Sequence, residues 1–171
     1  MSKIYFIADT HFGHQKIINY ESRPFESVDE MDDTIIQNWN EIIQEDDVVY
    51  ILGDYSFYDF EHSKEITSQL KGKKYLVMGN HDEEDESVYR QMGFVNAYRF
   101  PIILNNFWIL SHEPVYINKN MPYANIFGHV HGCNIYSDAS AQSFCSCVER
   151  LNYSPIEFEE VKKIIMGAVH K

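Results

Sequence analysis

The sequence predicts an α/β fold in which two β-sheets pack against each other. Three observations predict it. Short apolar runs alternate with helical spacing as far as residue 92, and from residue 94 the chain turns strand-rich. Polar residues able to bind metal stand at the ends of runs that are otherwise apolar. In open α/β sheets, ligands bind beyond the carboxyl ends of the strands.

Residues 3–8 (Lys-Ile-Tyr-Phe-Ile-Ala) form a short apolar run that ends in Asp9-Thr10-His11. That reads as a buried strand entering a loop. Over residues 28–43, Val28, Met31, Ile35, Ile36, Trp39, Ile42 and Ile43 follow helical spacing, and Ser27 with Glu30 forms a capping box at the start. Residues 48–52 are a second buried strand, stopped by Gly53-Asp54, and a helix is expected over 61–70. Residues 74–78 are a third strand, stopped by Gly79-Asn80-His81-Asp82. A helix over 83–92 follows, its acidic start suited to the positive end of the helix dipole. Residues 94–100, 102–104 and 107–111 read as short strands, with Asn105-Asn106 as a hairpin turn. Strands are also expected at 124–127 and 144–149. A closing helix over 156–168 puts Ile156, Val161, Ile164 and Ile165 on one face.

A chain of 171 residues is expected to form one domain over 1–171. Its net charge is −12, and its 14 Lys and Arg are scattered apart from Lys71, Lys73 and Lys74, which read as a solvated turn. A protein that tracks a nucleic-acid backbone shows a basic stripe. Long duplex nucleic acid is therefore not the expected partner; a small phosphoester or a single nucleotide is. No apolar run approaches the roughly 20 residues a membrane span needs, and the first residues lack a signal-peptide shape. A cytoplasmic protein without a membrane partner is expected. No feature of the sequence sets an oligomeric state. Three cysteines do not make a disulfide framework. Cys145 and Cys147 fall on one face of a strand, and Cys133 reads as a small hydrophobe near His131.

Chemistry concentrates at the strand ends: Asp9 and His11, Asp54, Asn80 and His81, His112, then Gly128-His129-Val130-His131. Hydrolysing a phosphoester requires a nucleophile near neutral pH and a clamp for shifting negative charge. Two metals about 3.5–4 Å apart supply both, and a carboxylate is the natural bridge between them. Carboxylate, imidazole and amide oxygen together suit Mn²⁺, Fe or Zn²⁺.

Asp9-Thr10-His11, Gly53-Asp54, Gly79-Asn80-His81-Asp82, His112 and Gly128-His129-Val130-His131 resemble the calcineurin-like metallophosphoesterases. The opening Asp9-Thr10-His11-Phe12-Gly13-His14 looks like a small, single-domain bacterial and phage branch. Each block alone is weak; five in order are specific. The resemblance implies two mixed β-sheets flanked by helices. It implies that Asp9, His11 and His131 bind one divalent ion, that Asn80, His112 and His129 bind another, and that Asp54 bridges them. His81 is implied as the acid that protonates the leaving oxygen, with Asp82 orienting it or simply capping a helix. Mn²⁺ is the expected ion, with Fe, Zn²⁺ and Ni²⁺ as alternatives.

Three readings of the reaction compete. The first is a phosphodiesterase or nucleotide phosphohydrolase, with in-line attack by a hydroxide bridging the two metals. The second is a phosphomonoesterase acting on a small metabolite or phosphopeptide, and the third a non-catalytic scaffold. A monoester dianion asks for extra cations, and only His14 and Arg23 lie near in sequence. His14 reads as a phosphate contact or as a structural residue at the first loop. Arg23 reads as a bidentate phosphate ligand or as a surface arginine. Tyr55, Phe57, Tyr58 and Phe60 read as cleft wall or as core.

Overall fold

The computed structural model describes residues 2–118, 120–133 and 142–169. Four parallel strands, β1 (Ile4–Ile7), β2 (Val48–Ile51), β3 (Lys73–Val77) and β4 (Asn96–Tyr98), form most of the first sheet. The short β9 (Ile156–Glu157) pairs antiparallel with β1, giving a five-stranded order β4-β3-β2-β1-β9. The second sheet contains β5 (Ile102–Leu104), β6 (Trp108–Leu110), β7 (Ala124–Phe127) and β8 (Ser143–Cys145), in that order. Only the β5–β6 pair is antiparallel; β6, β7 and β8 are parallel. Both sheets are thus mixed.

The apolar runs are continuous because the first sheet is covered on both faces. Tyr5, Ile7, Val49, Ile51 and Leu76 face a helical layer, in one core with Ile17, Met31, Ile35, Trp39 and Ile66. That layer comprises α1 (Gln15–Tyr20), α2 (Val28–Ile42), α3 (Phe60–Gln69) and α4 (Glu86–Met92). Successive strand side chains point to opposite faces. Phe6, Ala8, Leu52 and Val77 accordingly meet Trp108, Leu110, Ala124 and Ile126 of the second sheet. Phe158, Val161 and Ile165 of α5 (Phe158–Val169) join that second core.

Local signals account for most boundaries. Ser27 Oγ accepts the Glu30 N–H at 3.1 Å, while the Glu30 carboxylate takes the Glu26 N–H at 2.7 Å, one residue earlier than in a standard capping box. Asn105 and Asn106 make the hairpin turn with φ of 52° and 57°, the left-handed conformation that Asn tolerates.

Some expectations need correction. The fourth helix begins at Glu86, after Asp85, because Asp82 is drawn inward. The closing helix begins at Phe158: Ile156 belongs to β9, and Ile164 is exposed. The strand expected over 144–149 ends at Cys145, and Val148–Arg150 form a 3-10 turn. Lys74 is not solvated; its stem is buried and its ammonium donates to the Leu70 carbonyl. No helix among the described residues is long and apolar enough to cross a membrane.

Candidate metal centre

Five of the expected ligands have left-handed backbones: Asp9 (φ 58°), His11 (51°), Asp54 (53°), His129 (69°) and His131 (48°). Such backbone in non-glycine residues is uncommon, costs about 1 kcal/mol or more each, and persists where the surroundings over-determine it. Here it turns each side chain back over the strand ends, where the groups converge. Glycines make room for this. Gly53 has φ of 90°, and a Cβ there would lie 2.2 Å from His112 Nδ1. Gly79 lets two loops touch: a Cβ would lie 2.3 Å from Asp54 Oδ1.

Two groups of side chains could each hold a metal ion, Asp9 with His11 and His131, and Asp9 with Asp54 and His112. Around the first, Asp9 Oδ1 lies 3.9 Å from His11 Nε2 and 3.8 Å from His131 Nε2. Asp54 Oδ2 lies 3.5 Å from His11 Nε2 and 3.5 Å from His112 Nε2, midway between the two histidines. His112 Nε2 is also 3.0 Å from Asn80 Oδ1 and 3.1 Å from His129 Nδ1. Atoms bound to one ion at about 2.0–2.2 Å sit roughly 3–3.5 Å apart, so both clusters are near coordination spacing.

The electrostatics fit a cation too. Asp9 Oδ1 and His11 Nε2 are buried without a hydrogen-bond partner among the described residues. Orphaned buried polar atoms call for an explanation, and an ion shared by these two provides one. Burial pushes the Asp9 carboxyl up to about 6 despite nearby His112 and His131. Burial pulls His11 well below the ordinary imidazole range, with help from the Arg23 charge. His129 is lowered by burial and by His112. Neutral imidazoles with free lone pairs are what metal binding requires.

Hydrogen bonds aim the rings. His112 Nδ1 is 2.9 Å from the Leu52 carbonyl, which leaves Nε2 directed at Asp54. His131 Nδ1 is 3.0 Å from Glu149 Oε1, which leaves Nε2 directed at Asp9. Asp9 Oδ2 accepts the His129 N–H at 2.8 Å and the Cys147 thiol at 3.2 Å. The 3.2 Å Sγ–Sγ contact between Cys145 and Cys147 confirms that they share a face. Cys133 is exposed.

Arg23, Asp82 and His14 sort differently from expectation. Arg23 is neither a surface arginine nor a phosphate ligand: it is buried, and its guanidinium bonds Glu149 and the carbonyls of Asp9 and Thr10. Asp82 neither orients His81 nor caps a helix. Its carboxylate accepts the N–H groups of Asp54 (2.7 Å), Tyr55 (3.1 Å) and Gly79 (2.8 Å). His14 stands at the N-terminus of α1 without a side-chain cap bond, 3.2 Å from His11 Nδ1 and stacked on Phe57 at 3.9 Å. Of the four aromatics, Tyr55 is core, whereas Phe57 is exposed and also neighbours His11 and His81. His81 is exposed, its ring 5.9 Å from that of His11.

A cavity of about 320 Å³ opens beside His81, walled by Phe57, Tyr58, Phe60 and Tyr89 with Glu83 and Glu84. A larger hollow of about 550 Å³ runs along exposed α3 and includes none of the centre's histidines. Chemistry and convergence favour the former.

Residues 2–160 match the family model described as calcineurin-like phosphoesterase. An uncharacterized protein of Methanocaldococcus jannaschii is 34% identical over 96% of this chain and 92% of its own. The Gene 66 protein of Mycobacterium phage L5 is 34% identical over 48% of this chain and 41% of its own. The crystal structure of a protein of unknown function from Aquifex aeolicus superposes with a TM-score of 0.76 at 28% identity, over 96% of this chain and 100% of that one. Two mixed sheets, a convergent Asp/His centre and a family match over nearly the whole chain agree: the protein belongs to the calcineurin-like phosphoesterases, a family of metal-dependent phosphoester hydrolases.

Proposed function

We propose that the protein is a two-metal phosphodiesterase acting on a small diester or nucleotide in the cytoplasm. Asp54 carries the reading: one carboxylate oxygen lies 3.5 Å from an imidazole nitrogen of each cluster, as a bridging ligand must. Asp9, His11 and His131 with Asp54 would hold one ion; Asn80, His112 and His129 with Asp54 would hold the other. Oxygen and nitrogen donors suit Mn²⁺, with Fe, Zn²⁺ or Ni²⁺ as alternatives. Such a pair of ions supplies an activated water and a clamp on the phosphoryl oxygens.

The chain's own residues divide the remaining work. Asp54 Oδ1 accepts the His81 N–H at 3.0 Å, which ties the acid's main chain to the bridging group. The exposed His81 ring is free to give a proton to the leaving oxygen. The cavity beside it has aromatic walls and acidic residues, and no Lys or Arg lines it among the described residues. That lining suits an alcohol leaving group and repels a second phosphate. Arg23 is already committed to Glu149, so it brings no charge to a monoester dianion. Both features support diesters. Three free cysteines suit a reducing compartment.

The test is turnover of bis(p-nitrophenyl) phosphate and p-nitrophenyl phosphate with Mn²⁺, Ni²⁺, Zn²⁺ or Mg²⁺. Diester turnover should dominate and should disappear with chelator. His81→Ala should lower it roughly 10²–10⁴-fold, the usual contribution of a general acid. If metal-loaded wild type and His81→Ala are equally inactive on a broad phosphoester panel, the reading is wrong.

A further inference from the structure

The centre's histidines are not held alike. His112 is aimed by a main-chain carbonyl, His131 by a carboxylate. The 3-10 turn Val148–Arg150 grips His131 twice. Glu149 Oε1 lies 3.0 Å from its Nδ1, and Arg150 Nε donates to its carbonyl at 2.8 Å. Arg150 also donates to the Cys133 carbonyl. Ring and main chain of one ligand are thus fixed by consecutive residues.

Glu149 is itself nearly buried, and a buried carboxylate needs a partner. Arg23 supplies it, with Nε at 2.9 Å and Nη2 at 2.7 Å from Oε1. The Arg23 side chain is fully buried, and the rest of its fork reaches the carbonyls of Asp9 (2.8 Å) and Thr10 (3.0 Å). These flank the left-handed turn that presents Asp9 and His11. One guanidinium therefore ties together the supports of Asp9, His11 and His131. Among the described residues it touches none of Asn80, His112 and His129.

We propose that Glu149 is a positioning residue for His131 and that Arg23 clamps Glu149 to the loop after β1, so that this pair tunes one half of the metal centre alone. The proposal rests on the two-metal reading. With Nδ1–H donated to Glu149, the imidazole has one tautomer and presents the Nε2 lone pair towards Asp9 Oδ1. Without the carboxylate, the ring is free to rotate and to exchange tautomers. Arg23 brings both Nε and Nη2 onto the one oxygen Oε1 while its remaining donors reach the β1 loop, a combination that a lysine cannot reproduce.

The test titrates Mn²⁺ into the chelator-stripped full chain by calorimetry. Wild type should take two ions. Glu149→Asp keeps a charge opposite Arg23 but withdraws it from His131, so the fold should survive. It should bind one ion within about twofold of wild type and the other roughly 10–100-fold more weakly, the usual effect of losing such a support. Arg23→Lys should weaken the same site. In a His131→Ala background, Glu149→Asp should add nothing further, because the two act as one unit. Equal weakening of both ions would mark a merely structural pair and overturn the proposal, as would unchanged binding or an additive loss in that background. A wild type that takes no second ion would remove the two-metal reading and this inference with it.

Discussion

Replacing Asp82 by alanine is expected to destabilise the protein by about 3–6 kcal/mol. The figure follows from what its carboxylate holds. Oδ2 accepts the N–H of Asp54 and of Gly79, and Oδ1 accepts that of Tyr55. Asp54 and Tyr55 are buried, so alanine strands two N–H groups beyond the reach of water. Each costs about 1–3 kcal/mol, and the partly exposed Gly79 N–H adds less. Asp82→Asn retains an oxygen for two of the bonds and turns an amide N–H against the third donor, so about 1–3 kcal/mol is expected. A simple helix cap would lose only about 1 kcal/mol on truncation. Asp85, which precedes α4 without a side-chain cap bond, is the natural control and should lose less than about 0.5 kcal/mol. Urea unfolding of the four proteins at pH 7.5 measures the series. Thermal melting should fall by roughly 6–24 °C for Asp82→Ala, given about 2–4 °C per kcal/mol at this chain size. If Asp82→Ala lies within about 1 kcal/mol of wild type, the loops bearing Asp54 and Asn80 are not held together in this way.

Gly79→Ala should destabilise by about 1–3 kcal/mol through overpacking and weaken Mn²⁺ binding, because the new Cβ would lie 2.3 Å from Asp54 Oδ1 and 2.8 Å from His112 Cε1. Wild-type melting with intact calorimetric binding would refute this. Asp32 gives a pH signature. Burial pushes it up to about 7 from 3.8, against the Gly13 N–H and Tyr58 hydroxyl bonds that favour its charge. A raised carboxylate contributes stability that is full below the unfolded value and is lost as pH rises through the folded one. Asp32→Asn cannot ionise, so its stability relative to wild type should increase between pH 4 and 8. Parallel urea-stability profiles for the two proteins would contradict it.

The elements most legible in the sequence are those whose signal is local. The runs ending at Asp9, Asp54 and Asn80 show their burial in continuous apolar composition, and α2 shows its face in the spacing from Met31 to Trp39. The boundaries that shifted depend on distant partners. Ile156 leaves the closing helix because β1 offers an open edge to pair with. Asp82 leaves the start of α4 because three N–H groups compete for it, two from the loop after β2 and one from its own loop. Lys74 can be buried because its ammonium donates to the carbonyl of Leu70, a partner no local pattern announces.

The same division runs through the site. Residue type and order singled out Asp9, His11, Asp54, Asn80, His112, His129 and His131 as candidates, since each stands where an apolar run stops; of these, Asp9, His11, Asp54, His112 and His131 fall in the two groups that could hold an ion. Glu149 was missed. It reads as an ordinary acidic residue in Cys147-Val148-Glu149-Arg150, and its partners lie 18 and 126 positions away. Arg23, singled out as a cation near the site, proved to face inward. A sequence alone thus determined which candidate donors stand at the ends of apolar runs and in what order, because those follow from residue type and apolar patterning. Only the tertiary structure decided which way each donor points and what holds it there. Those depend on left-handed turns, buried counter-charges and hydrogen bonds between segments far apart in the chain.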